Sequence, residues 1–67
     1  MKKLEDMTAV EVANYEFSFL NCSEKAVEVR KVSILECEIV CESGKVLKAM
    51  GLLAQELCKA LNRYENN

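Results

Sequence analysis

Cysteines at positions 22, 37, 41 and 58 are the residues best suited to chemistry in this 67-residue chain. Thiolates ligate zinc, and Cys37 and Cys41, four apart, would share one face of a helix and supply two ligands. A structural site needs two more. Cys22 and Cys58 stand alone, and the chain contains no histidine to complete a set. The spacing therefore predicts four buried or half-buried thiols that act as small apolar residues in a reducing cytoplasm. No metal or cofactor is expected, nor a disulfide in a chain without an export signal.

Glu36, Glu38 and Glu42 could be an acidic base or metal cluster. On a helix, however, Glu36 and Glu38 point to different faces, and no histidine or aspartate accompanies them. A solvated face is expected, available as an acidic docking patch for a basic partner surface. Ser43-Gly44-Lys45 resembles the end of a P-loop but lacks the earlier glycine and the Lys-Ser/Thr order. Without histidine there is no Ser–His or Cys–His pair. These residues predict no enzyme.

Composition narrows the class further. Hydrophobic residues make up 51% of the chain, enough for a packed core, and 67 residues make one small domain, 1–67. A core of that size contributes only about 3–5 kcal/mol net, so a partner subunit is a natural supplement. The net charge of −2 and the lack of a basic run leave no electrostatic footprint for DNA or RNA. Lys2 and Lys3 are followed at once by Glu5 and Asp6, so no signal peptide is expected. No apolar run approaches the roughly 18 residues of a membrane span. A soluble cytoplasmic protein without membrane contact is expected.

The elements that must position these residues follow from two breaks, near Asn21-Cys22-Ser23 and Ser43-Gly44. The chain has no proline and only two glycines, too few turn formers for a typical all-β domain. Thr8 followed by Glu11 forms a capping box, with Met7 and Val12 at hydrophobic-staple positions. Polar residues at Glu11, Asn14, Ser18 and Asn21 trace one solvated line, which predicts a helix over about 8–21. Two apolar rows flank it: Val10, Ala13, Phe17 and Leu20, and Val12, Tyr15 and Phe19. A chain this short covers one row from within. The second, Val12, Tyr15 and Phe19, is expected to meet a partner.

For about 23–42 a helix capped by Ser23 is the adopted reading. The alternative is a β-hairpin, because Val27, Val29, Val32, Ile34, Ile39 and Val40 are β-branched and Leu35, Cys37, Ile39 and Cys41 alternate with glutamates. That alternation slips phase between Val29 and Leu35, as a bulge or break would require. A third helix is expected over about 45–64, with a stripe through Val46, Leu47, Met50, Leu53, Ala54, Leu57 and Leu61. Residues 65–67 form a frayed tail. One conflict is visible: Glu36, Glu38 and Glu42 would end one helix, and Lys45 and Lys48 would open the next, all opposing the helix dipoles. A single helix running through Ser43-Gly44 would remove the conflict, but Ser-Gly is the best local breaker, so a helical hairpin is expected.

Gly44, Ala54-Gln55-Glu56-Leu57-Cys58, Leu61 and Tyr64 loosely resemble the second helix of the small aspartyl-phosphate phosphatases of bacterial sporulation, which are helical hairpins. Their fingerprint reads Ser-Gln-x-Leu-Asp. Ala54 and Cys58 stand where that family has its serine and aspartate, so the resemblance implies a hairpin and no phosphatase activity.

The expected architecture is thus all-α, a three-helix domain with helix 1 packed on a hairpin of helices 2 and 3; the alternative is α+β with a hairpin before a C-terminal helix. The expected function is non-catalytic protein–protein interaction by a small regulator or inhibitor, of phage, mobile-element or operon type. It would act as a homodimer or higher oligomer and bind a target protein. The alternative is a small DNA-associated transcriptional regulator using Lys25, Arg30, Lys31, Lys45 and Lys48.

Overall fold

The computed structural model describes residues 3–64; the tail expected to fray lies outside them. A 3-10 turn (Leu4–Asp6) leads into helix α1 (Ala9–Phe19), strands β1 (Ala26–Ser33), β2 (Glu36–Cys41) and β3 (Val46–Met50), and helix α2 (Leu52–Tyr64). The fold is α+β, and the expected three-helix, all-α domain is overturned. The α+β alternative is nearer, although it lacked the third strand.

Helix α1 begins as its residues dictate. The Glu11 amide donates to Thr8 Oγ1 at 3.2 Å, and Glu11 Oε1 accepts from the Thr8 amide at 3.0 Å, closing the capping box. Met7 and Val12 are both buried. The helix ends at Phe19, short of position 21, because Asn21 adopts φ 53 and the Cys22 amide reaches back to the Phe17 carbonyl at 3.0 Å. Asn21 does here what glycine usually does in such a C-cap.

The strands resolve the ambiguous middle. β1, β2 and β3 form an antiparallel meander in that order. The β-branched run overrides the helical spacing because Cys37, Ile39 and Cys41 can then all face one buried layer, while Glu36 and Glu38 face outward. The phase slip is a bulge: register shifts between Lys31 and Ser33, and again between Ala26 and Glu28, leaving Val32 and Val27 as extra residues.

Ser43-Gly44 is a true turn, with Gly44 at φ 94 and its amide bonded to the Cys41 carbonyl at 2.9 Å. It joins two strands rather than two helices. The dipole conflict disappears, since neither helix end exists: Lys45 precedes β3 and Lys48 lies within it. Of the third helix's expected stripe, Val46, Leu47 and Met50 lie on β3, and only Leu53, Ala54, Leu57 and Leu61 lie on α2.

Both helices pack on one face of the sheet, giving a two-layer domain. The core joins Val12, Ala13 and Phe17 of α1, Val29, Cys37, Ile39, Cys41 and Ala49 of the sheet, and Ala54, Leu57 and Ala60 of α2. The Arg63 guanidinium donates to the Leu4 and Met7 carbonyls at 3.2 and 3.4 Å, tying the end of α2 to the start of the chain.

Candidate interaction surface

The thiols are distributed by the strand period. Cys37 and Cys41, expected on one helix face, lie on the inner face of β2 and are fully buried. Four residues along a strand span roughly 13 Å, too far for two ligands of one ion. Cys37 instead meets Cys58 of α2, with Sγ–Sγ 3.5 Å. The sequence reading missed this pair, because their spacing of 21 carries no periodic signal. Burial, then the Cys58 sulfur, pushes the Cys37 thiol up to about 12. Burial, followed by Glu24 and Cys22, also raises Cys41. Among the described residues no group of three or more Cys, Asp or Glu is placed to hold a metal ion.

Glu36 and Glu38 project from the outer face of β2, whereas Glu42 sits at the turn after it. Glu38 stands opposite Arg30 on one side and Lys48 on the other, a cross-strand row of alternating sign. Arg30 also bonds Glu28 at 2.9 Å, and Glu28 chiefly, with Glu38 behind it, raises the Arg30 pKa. Further cations are interleaved with acids: Lys45 with Glu24 and Lys59 with Glu56, both at 3.8 Å.

The apolar row on α1 divides. Val12 is 1% exposed and belongs to the core, whereas Tyr15 is 39% and Phe19 66% exposed. The two rings meet edge to face, centroids 5.0 Å apart. Leu20, from the other row, is 70% exposed beside them in sequence. The division follows from where the core lies: Ala9, Val12, Ala13 and Phe17 are the helix positions that face the sheet and α2. Each row therefore contributes to both sides.

A second apolar surface was not anticipated. Val32, Ile34 and Leu35 are exposed around the β1–β2 turn, as are Met50 and Leu52 at the β3–α2 junction. Register places Ser33 opposite Glu36 and Glu36 opposite Met50, so turn and junction occupy the same end of the sheet. The sequence signal was the run Val32-Ser33-Ile34-Leu35, too apolar for a turn that is merely solvated.

A shallow cleft between the 3-10 turn and α2 is lined by Leu4, Glu5, Glu56, Lys59 and Arg63. It gathers neither a nucleophile nor a set of metal ligands. Among the described residues no helix is long and apolar enough to cross a membrane. No family model matches the chain, and no curated protein or solved structure matches it significantly.

Proposed function

We propose that this protein is a non-catalytic interaction module, a small regulator or inhibitor that self-associates through α1 and binds a target protein. The Tyr15–Phe19 pair carries the reading. The opposite side of α1 is already packed on the core, yet two aromatic rings remain in edge-to-face contact with Phe19 66% exposed. Aromatic side chains are enriched in interface cores, where they bury large areas at low entropic cost. A two-fold axis beside Tyr15, Phe19 and Leu20 would let one patch cover its own copy. The apolar end formed by Val32, Ile34, Leu35, Met50 and Leu52 is then left for the target.

The experiment is a solution mass measurement on the wild type and on Tyr15→Ser/Phe19→Ser at matched concentration. A wild-type oligomer that dissociates in the variant, with its circular dichroism retained, supports the reading. A wild type that stays monomeric at high concentration overturns self-association.

A further inference from the structure

We propose that Cys58 and Cys37 are a reversible disulfide-forming pair whose oxidant is a low-molecular-weight disulfide such as glutathione disulfide. Their sulfurs are already in van der Waals contact at 3.5 Å, against about 2.0 Å in a formed bond. They come from different elements, the central strand β2 and helix α2, so the approach is made by the tertiary packing. Backbone carbonyls hold each sulfur beside the other: Cys37 Sγ donates to Ala54 O at 3.7 Å, and Cys58 Sγ to Ser33 O at 3.9 Å.

Access is unequal, and this sets the order of events. Cys37 is wholly buried while Cys58 is half-buried. A small disulfide can therefore reach Cys58 first, leaving Cys37 to resolve the product. Burial and the Cys58 sulfur raise the Cys37 thiol, and Lys31, opposite it in the β1–β2 register, offsets only a minor part of that rise.

In the first step the Cys58 thiolate, its proton lost to solvent, attacks one sulfur of glutathione disulfide. A Cys58–glutathione bond forms and a glutathione thiolate departs. In the second, Cys37 Sγ attacks Cys58 Sγ, the second glutathione leaves, and the Cys37 proton passes to it. The two protein thiols lose two electrons and two protons, and one glutathione disulfide becomes two thiols. The bridge then staples β2 to α2 and is undone by excess reduced glutathione.

The test is to treat the folded protein with glutathione disulfide, block remaining thiols in acid-quenched, denatured samples, and map the peptides by mass. The expected result is loss of the Cys37 and Cys58 thiols together, a Cys37–Cys58 cross-linked peptide, and no glutathione retained on Cys58, with any adduct on the similarly half-buried Cys22 mapped separately. Cys37→Ala should stop at a glutathione adduct on Cys58. Should that variant fail to fold, Cys58→Ser, at a half-exposed position, should abolish the bridge and leave Cys37 unmodified. A stable wild-type adduct on Cys58 without a bridge overturns the proposal. So does a Cys22–Cys41 bridge formed in its place, or cross-linking seen only in denaturant.

Discussion

The Asn14 side chain pairs with both backbone groups of Ala26: its Oδ1 accepts from the Ala26 amide at 2.8 Å and its Nδ2 donates to the Ala26 carbonyl at 3.1 Å. Ala26 starts an edge strand and faces Cys41 across the sheet. The carboxamide thus stands where the next strand would, satisfying groups that would otherwise be left in a nearly dry site, since Ala26 is only 2% exposed. One helix side chain sets both the distance of α1 from β1 and the end of sheet pairing.

Removing it should be costly. Asn14→Ala leaves a donor and an acceptor unsatisfied, a loss of about 1–3 kcal/mol for such a group. Asn14→Asp keeps the acceptor for the Ala26 amide but turns a carboxylate on the Ala26 carbonyl, so it should not restore stability. Denaturant unfolding of the three proteins checks this. An alanine variant as stable as wild type would mean that water replaces the carboxamide without loss.

The divided row on α1 should behave as two kinds of residue. Val12→Ser puts a hydroxyl into a position 1% exposed and removes packing, costing about 2–4 kcal/mol. Phe19→Ser should change monomer stability by no more than about 0.5 kcal/mol. Unfolding midpoints at dilute concentration, where association is negligible, separate the two. Equal losses would place Phe19 inside the core after all.

Stability should fall at alkaline pH. Burial holds Cys37 at about 12 against an ordinary 9.0, and Cys41 is raised by the same cause. Between those values the folded chain keeps protons that the unfolded chain releases. The Cys37 contribution is therefore full below about pH 9 and is lost as pH rises toward 12, at up to about 1.4 kcal/mol per pH unit, and Cys41 acts in the same direction. Midpoints measured near pH 8 and pH 10 for wild type and Cys37→Ala isolate it from lysine and tyrosine titration: the variant should show the shallower fall. Parallel falls would show that Cys37 titrates as it does in the unfolded chain.

Local chemistry was legible in the residues alone. Thr8 and Glu11 specify the start of α1 by reaching each other's amides, and the amphipathic stripe of Leu53, Ala54, Leu57 and Leu61 specifies α2, because both signals act within two turns. The polar line Glu11, Asn14, Ser18 and Asn21 was also visible; the cap at Glu11 and the turn near Asn21 were read from it, but the backbone bonds of Asn14 and Ser18 were not. Glu11 serves the cap, Asn14 binds Ala26, Ser18 bonds the Tyr15 carbonyl at 2.6 Å, and Asn21 turns the chain. These residues satisfy or turn the backbone, and polarity by itself cannot separate that from solvation.

Tertiary structure decided the rest. Residues 23–42 carried both a helical face and a strand alternation. The choice fell to β because a three-stranded sheet gives Cys37, Ile39 and Cys41 one common buried layer, an energy that no local window contains. The same packing drew Val46–Met50 out of the expected helix, moved Val12 from interface to core, and brought Cys58 to Cys37. Each depends on which surfaces meet across 20 or so residues of chain, and that is settled by the burial of the whole.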